Sequence, residues 1–200
     1  MYAPRVSDAG PHNPVTIRHP DAIDRTAFVA LRRSSLAHLK PWEPDLGDDE
    51  RQFGDASFDR LLARCDTENE QKFVMLNDEG KLVGYVGLGQ IYRGPFCSCY
   101  MGYWVGAAYA RRGYGVAGVR ACLDRAFTPE AQGGLGLHRV EANIIPENDA
   151  SLKLVQRVGF RREGYSPRYL RIAGDWRDHE RWAITAEDWA ERGHHATASE

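Results

Sequence analysis

The feature that most constrains the fold is a short turn with two glycines, which joins an extended apolar segment to a helical pattern. The segment 96–105 alternates like a strand, and Arg112-Gly113-Tyr114-Gly115-Val116-Ala117 follows it. Apolar residues then recur at helical spacing up to Phe127. Backbone N–H groups at a helix N-terminus bind phosphate oxygens. The turn therefore indicates a phosphate site with Arg111 or Arg112 as its cation, although an ordinary tight turn fits these residues equally well.

Length and charge limit the number of domains and the class of partner. The chain has 200 residues, which suits one domain with a sizeable core. Its formal net charge of -2 argues against nucleic-acid binding through bulk positive charge. The four cysteines lack the spacing of metal ligands, so a reduced, cytoplasmic protein without a metal site is predicted. No segment has the composition of a signal core or a membrane helix, and no membrane partner is expected.

The expected organisation is a flexible N-terminus at residues 1–14, a single domain at residues 15–190 and a polar tail at residues 191–200. The neighbouring histidines His194 and His195 lie in that tail, where solvation explains them better than metal binding.

Changes in hydrophobic period predict a mixed α+β sandwich. An edge strand at residues 15–18 and two helices within residues 21–65 precede a three-stranded antiparallel meander within residues 72–105. Helix, strand, helix and two more strands follow up to residue 185. Neither a repeat nor a linker divides this pattern.

Polar residues line one face of the predicted strand at residues 137–145. Alternation places Arg139, Glu141 and Asn143 together, opposite Val140, Ala142 and Ile144. A central strand flanked by helices is usually apolar on both faces. The polar face therefore indicates the border of a cleft, with simple solvent exposure as the alternative.

The next helix begins with two polar groups, Asn148 and Ser151. Asn148 is a typical N-cap, and Ser151 stands three residues after it. If the cleft lies beside this helix, both groups stand at its floor, and Ser151 could donate a proton to a departing thiolate. Capping alone is the simpler interpretation.

Together these motifs resemble the GNAT superfamily of acetyl-CoA-dependent N-acetyltransferases. The shared features are Tyr103-Trp104, the turn at 112–117, the strand at 138–143, the helix start at 148–151 and the segment 159–165. Three further motifs, at residues 39–44, 93–96 and 175–179, resemble the RimJ type, which acetylates the N-terminal alanine of ribosomal proteins. The resemblance extends over residues 14–190, and the order and spacing of the motifs carry it.

The resemblance implies a fold and a place for the cofactor. The expected GNAT fold has a central, mostly antiparallel sheet, splayed at two parallel strands and flanked by helices, with acetyl-CoA in the V-shaped opening. The expected cofactor-binding residues are the main-chain groups of Tyr103, Trp104 and Val105, the turn residues Arg111, Arg112, Gly113, Tyr114, Gly115, Val116 and Ala117, and Asn148 and Ser151.

The resemblance also suggests two catalytic residues. In the related RimL type a serine at the position of Ser151 protonates the thiolate, and Val155 replaces the tyrosine used elsewhere in the superfamily. Leu170 stands where the RimL type has its glutamate base. Glu141 is the leading substitute, directly or through a water, and pairing with Arg139 alone is an equal alternative.

The predicted acceptor groove draws on residues from several parts of the chain. They are Trp42, Glu43, Arg93, Asn143, Tyr165 and Tyr169. Carboxylates there would attract a protonated amine, whereas Trp42 and the tyrosines could equally be structural anchors. The expected partner is the N-terminus of a ribosomal protein, and the enzyme is expected to be a monomer or homodimer. Acetylation of a small amine and a non-catalytic acyl-CoA-binding module are the alternatives.

Overall fold

The fold is built on one seven-stranded sheet, in a computed structural model that describes residues 14–193. The strands are β1 (Thr16–Arg18), β2 (Glu70–Leu76), β3 (Leu82–Tyr92), β4 (Ser98–Val105), β5 (Arg139–Ile144), β6 (Arg161–Ile172) and β7 (Asp175–Thr185). Their spatial order is β1-β2-β3-β4-β5-β7-β6. The predicted edge strand and the predicted meander are confirmed as β1 and as β2 to β4.

The sheet splits where its two parallel strands meet. β4 and β5 are parallel and pair through Ser98 with Arg139, Cys99 with Val140 and Tyr100 with Glu141. Every other neighbouring pair of strands is antiparallel. Beyond Tyr100 and Glu141 both strands continue without pairing to each other, as expected from the resemblance.

Seven α-helices accompany the sheet in the described chain. They are α1 (Arg25–Ser34), α2 (Leu36–Leu39), α3 (Asp49–Phe53), α4 (Asp55–Ala63), α5 (Tyr114–Phe127), α6 (Asp149–Val158) and α7 (Ala186–Glu191). The expected helix at residues 21–39 is divided, because α1 ends at Ser34 and α2 begins at Leu36.

Strand alternation sends side chains into two separate cores. On β2, Phe73 and Met75 pack with α5 and α6, whereas Val74 packs with α1 and α4. On β4, Tyr103 borders the first core and Trp104 the second. The sheet is thus the middle of three layers, and the opening between β4 and β5 lies within it. The α+β GNAT-type fold predicted from the sequence is confirmed.

Sequence reasoning missed α7. Its start is a capping box, in which Thr185 and Asp188 bond each other's backbone N–H groups. Trp189 is buried, and its indole N–H donates to Asp124 at 2.9 Å. The Thr-x-x-Asp spacing was the available signal, and it stands close to the expected polar tail.

Some expectations fall largely on residues outside the described range. Of the segment 1–14 only residue 14 is described, and of the segment 191–200 only residues 191–193. Glu191 is the last residue of α7. His194 and His195 are outside the described part. Between residues 14 and 193, no helix is long and apolar enough to cross a membrane, and no three His, Cys, Asp or Glu residues are grouped to hold a metal.

Candidate active site

The glycine turn forms an open helix N-terminus. Gly113 is the N-cap of α5 with φ 85°, a left-handed conformation that favours glycine, and no side chain of the described residues caps the helix. Ala117 N–H bonds Gly113 O at 3.0 Å, as the first amide inside the helix. The preceding amides of α5 have no partner within the helix, and the helix dipole adds positive potential. The turn therefore has the geometry of an anion site.

Gly115 lets α5 start close to its neighbours. A Cβ atom at this position would lie 2.8 Å from Leu154 Cδ1 and 3.4 Å from Val105 Cγ2. The turn thereby touches both β4 and α6, the two elements that border the split in the sheet.

The opening between β4 and β5 exposes one edge of β4. Residues 103–105 pair with β3 through Val86, Tyr85 and Gly84. Within the described chain, no strand pairs with the opposite edge of β4 beyond Tyr100. The edge that was expected to bind the pantetheine arm is therefore available for hydrogen bonds.

Asn148 and Ser151 meet at the start of α6. Asn148 Oδ1 accepts from Ser151 N–H at 3.1 Å, so the predicted cap is present. Ser151 Oγ lies 2.6 Å from Tyr103 Oη. Burial raises the pKa of Tyr103 to about 12, and the hydroxyl of Ser151 opposes this shift. The tyrosine therefore keeps its proton at neutral pH.

Sequence reasoning assigned only the main chain of Tyr103 to the site. The signal for its side chain was the alternation along β4, which places Tyr103 on the same face as Cys99 and Met101. That face packs against α5 and α6.

Glu141 stands at the last paired position before the split, and Arg139 holds its carboxylate. Arg139 Nε donates to Glu141 Oε1 at 2.9 Å, and Arg139 Nη1 to Glu163 Oε1 at 3.1 Å. Arg139 lowers the pKa of Glu163 through these hydrogen bonds. The ion pair that the sequence left as an alternative is present, whereas the role of Glu141 as a base stays a prediction.

Asn143 and Tyr169 come together further up the opening. Asn143 Nδ2 donates to Tyr169 Oη over a long 3.5 Å. Asn143 Oδ1 is buried without a hydrogen-bond partner among the described residues. Tyr169 reaches this point because the pairing of β6 with β7 is interrupted between Ser166 and Leu170.

Two further side chains, His179 and Tyr100, lie beside Tyr169. His179 is buried, with its ring centroid 5.5 Å from that of Tyr169, and burial lowers its pKa. Burial and the hydroxyl of Tyr169 raise the pKa of Tyr100. Tyr165 is about half exposed and donates to Asp178 Oδ2 at 2.6 Å.

The structure engages Glu43 in a buried ion pair. Arg32 Nη1 and Nη2 donate to its two carboxylate oxygens at 2.5 and 2.7 Å. The Arg32 guanidinium carbon also lies 5.1 Å from the ring centroid of Trp104. Sequence reasoning missed Arg32, although it stands one helical turn after Phe28 on the buried side of α1. Trp42 precedes Glu43 and is partly buried.

The hairpin formed by β6 and β7 contacts the loop that carries Trp42 and Glu43. Ala173 N–H donates to Glu43 O at 3.0 Å. The predicted acceptor residues Trp42 and Glu43 are thereby joined to the strands that carry Tyr165 and Tyr169.

Arg93 is not brought to this group. It lies in the turn before β4, where it pairs with Glu130 at 2.9 Å and donates to the carbonyl of Leu135. Glu130 and Leu135 follow the C-terminus of α5. Because α5 runs back along the sheet, its C-terminus lies at the start of β4, away from the glycine turn. Arg93 thus has partners of its own at the start of β4, and its place in the acceptor groove stays a prediction.

Comparisons with known proteins agree with this geometry. Residues 15–161 match the family described as acetyltransferase (GNAT) domain. The chain is 33% identical over 156 residues to the ribosomal protein uS5-alanine N-acetyltransferase of Escherichia coli (strain K12). These residues make up 76% of this chain and 77% of the relative.

Solved structures have the same fold over nearly the whole domain. RimJ of Mycobacterium smegmatis, in complex with CoA-disulfide, is similar with a TM-score of 0.79 and 32% identity, covering 90% of each chain. Ribosomal-protein-S5-alanine acetyltransferase of Vibrio fischeri has a TM-score of 0.75 and 29% identity, covering 88% of this chain and 94% of that one. The chain therefore belongs to the GNAT family of N-acetyltransferases, which use acetyl-CoA as the acetyl donor.

Proposed function

We propose that this enzyme acetylates the N-terminal α-amine of a protein, most specifically the N-terminal alanine of a ribosomal protein. The observation that carries this proposal is the 33% identity to the uS5-alanine N-acetyltransferase across about three quarters of both chains. The split sheet and the polar wall at Glu141, Asn143 and Tyr169 are consistent with it, since an amine acceptor needs polar groups beside the opening.

The residues from Arg111 to Ala117 would hold the pyrophosphate of acetyl-CoA. They fit this group, because α5 starts without a side-chain cap and Gly113 adopts φ 85°. The free edge of β4 at Tyr103, Trp104 and Val105 would bind the pantetheine arm, and Asn148 would line it. When bound, acetyl-CoA supplies an acetyl group activated as a thioester, whose transfer to an amine leaves a thiolate.

Ser151 would supply the proton that this thiolate needs. Its backbone N–H is held by Asn148 Oδ1, so its hydroxyl is presented from the first turn of α6. The resemblance implies a tyrosine donor at the position of Val155 in other members of the superfamily, and Val155 has no proton to donate, which favours Ser151.

Glu141 would act as the base, directly or through a water molecule. The demand on a base is modest, because a peptide α-amine has a pKa of roughly 7.7–8.0 and is partly deprotonated near neutral pH. Holding the amine beside the thioester therefore contributes more to the rate than a strong base does. Asn143, Tyr165, Tyr169, Trp42 and Glu43 would form the acceptor groove around it.

A panel of acceptors tests the proposed substrate class. Peptides with different N-terminal residues and a set of small amines, including a polyamine, are offered with acetyl-CoA, and release of free CoA is measured. Preference for a peptide that begins with alanine is expected. Turnover of small amines alone would overturn the proposal, and acetyl-CoA binding by calorimetry without any turnover would indicate a binding module. Intact masses of ribosomal proteins from cells with and without the enzyme identify the natural acceptor.

A separate measurement tests Glu141. Glu141→Gln is expected to shift the acidic limb of the pH–rate profile for kcat/KM while acetyl-CoA affinity is kept. An unaltered profile would leave Glu141 as the partner of Arg139 only.

A further inference from the structure

The hydroxyl groups of Tyr103 and Ser151 form a short bridge across the opening of the sheet. Tyr103 lies on β4, three residues beyond the last pair that β4 forms with β5. Ser151 lies on α6, which follows β5. The 2.6 Å contact between the two oxygens therefore joins the β4 side of the opening to the β5 side.

The direction of this hydrogen bond determines whether Ser151 has a proton to give. A hydroxyl donates one hydrogen bond and accepts two. If Ser151 donates to Tyr103, its only proton is occupied. If Tyr103 donates to Ser151 Oγ, the proton of Ser151 is available to another acceptor.

We propose that Tyr103 is a positioning residue, which donates its hydroxyl hydrogen bond to Ser151 Oγ and thereby directs the proton of Ser151 into the opening. This inference rests on the proposed role of Ser151 as proton donor. It assigns to the Tyr103 side chain a function separate from the main-chain contacts of β4.

The proton balance is simple and leaves Tyr103 neutral. The Oγ–H bond of Ser151 breaks as an S–H bond forms on the departing thiolate, and Ser151 recovers its proton from water before the next turnover. While Ser151 Oγ carries negative charge, the hydrogen bond from Tyr103 is charge-assisted and therefore stronger. Burial raises the pKa of Tyr103, so the tyrosine carries its proton when it donates to Ser151.

The side chains that hold the pair support a fixed geometry. The aromatic ring of Tyr103 packs against the core beneath α5 and α6, and Asn148 Oδ1 holds the Ser151 backbone N–H at 3.1 Å. The hydroxyl of Tyr103 is fixed by this packing, and the helix cap fixes the backbone from which the Ser151 hydroxyl extends. A short contact between two such anchored groups is suited to orient a proton.

Tyr103→Phe tests the inference, because it removes the hydroxyl and keeps the ring. With acetyl-CoA and a peptide that begins with alanine, kcat is expected to fall about three- to tenfold, the value of one ordinary hydrogen bond. Acetyl-CoA affinity by calorimetry is expected to change less than about twofold. Tyr85→Phe is the matched control, since Tyr85 lies on β3 on the opposite face of the sheet and is expected to leave kcat unchanged.

The double variant separates positioning from a general structural effect. Tyr103→Phe is expected to cause no further loss of kcat when Ser151 is already alanine. In the free protein, NMR is expected to detect a slowly exchanging hydroxyl proton of Tyr103, which disappears in Ser151→Ala.

Three results would overturn the inference. They are an unchanged kcat in Tyr103→Phe, a full additional loss in the double variant, or an equal fall of kcat and acetyl-CoA affinity. Full turnover in Ser151→Ala would instead overturn the proposed role of Ser151, and this inference with it. Loss of turnover in Ser151→Ala together with normal turnover in Tyr103→Phe would overturn the inference alone.

Discussion

The two sides of the opening are built in different ways. The donor side consists of residues 103–117 and 148–151, which end one β-strand and begin two helices. The acceptor side consists of residues 42–43, 141–143 and 165–179, which come from a loop, a central strand and a distant hairpin. On the donor side the candidate ligands are mainly backbone groups, whereas on the acceptor side they are side chains.

Several side chains of the acceptor side already have hydrogen-bond partners. Glu43 pairs with Arg32, Glu141 with Arg139, and Tyr165 with Asp178. The amine substrate would therefore bind groups that have no partner among the described residues, such as Asn143 Oδ1, or would displace a partner from one of these hydrogen bonds. The difference teaches that the proposed donor site is built from local backbone conformation, whereas the proposed acceptor site is built from a network of side chains that only the folded chain assembles.

The largest expected effect tests the donor side at the reacting atoms. Ser151→Ala should lower kcat about a hundredfold, as the loss of a general acid does, and leave acetyl-CoA affinity nearly unchanged. Ser151→Thr keeps the hydroxyl and should recover part of the rate. Equal losses in rate and affinity would reduce Ser151 to a structural residue at the start of α6.

The next effect tests whether Glu43 is structural. Glu43→Gln leaves the buried guanidinium of Arg32 without its charge partner, and should lower the free energy of unfolding by about 2 kcal/mol, less than a fully buried pair because Glu43 is partly exposed. Urea denaturation measures this.

Glu50→Gln serves as the control for Glu43→Gln. It breaks the exposed Arg33–Glu50 pair and should cost less than about 0.5 kcal/mol. Normal stability of Glu43→Gln would contradict the structural role of Glu43, and a raised KM for the acceptor would support its proposed place in the groove.

The glycine turn gives a smaller effect on the donor side. Gly113→Ala forces a Cβ into φ 85°, which costs about 1–2 kcal/mol. Because the turn can relax only by moving its amides, acetyl-CoA affinity should fall roughly tenfold. Gly80→Ala imposes similar strain at φ 73° in open space, and calorimetry should find its affinity normal. Equal affinities of the two variants would show that the turn does not bind phosphate.

The smallest effect is a pH dependence on the acceptor side. Burial lowers the pKa of His179 in the folded protein below its value of about 6.5 in the unfolded chain. The unfolded chain therefore binds more protons as the pH falls, so this contribution to stability is complete above pH ~6.5 and is lost as the pH falls through the folded pKa. Tyr169, Arg177 and Asp178 are its neighbours.

His179→Gln should flatten the acidic part of the stability curve, measured by thermal unfolding between pH 5 and 8. His138→Gln is the control, because the imidazole of His138 is exposed and pairs with Glu187 at 3.2 Å. An identical dependence of stability on pH in wild type and His179→Gln would contradict the lowered pKa of His179.

Local patterns were sufficient for most of the fold. β3 forms the second strand of the predicted meander, and α5 and α6 start at the glycine turn and at Asn148 as predicted. These signals are local, since strand alternation, helix caps and turn glycines act over a few residues. The capping box of α7 is equally local and was passed over because polar residues follow it.

The acceptor side could not be predicted from local sequence patterns in the same way. Tyr169 reaches Asn143 through an interruption in the pairing of β6 with β7, and Arg93 is held by residues that follow α5. Both depend on where distant segments meet, which no short-range pattern encodes.

The sequence by itself determined the order of elements, the open N-terminus of α5 and the cap of α6, because each follows from backbone chemistry within one segment. Only the tertiary structure decided that Ser151 meets Tyr103, that Arg32 takes Glu43 and that Arg139 also reaches Glu163. These pairings require side chains from separate elements to share a few ångströms, and packing of the two helical layers on the split sheet brings them there.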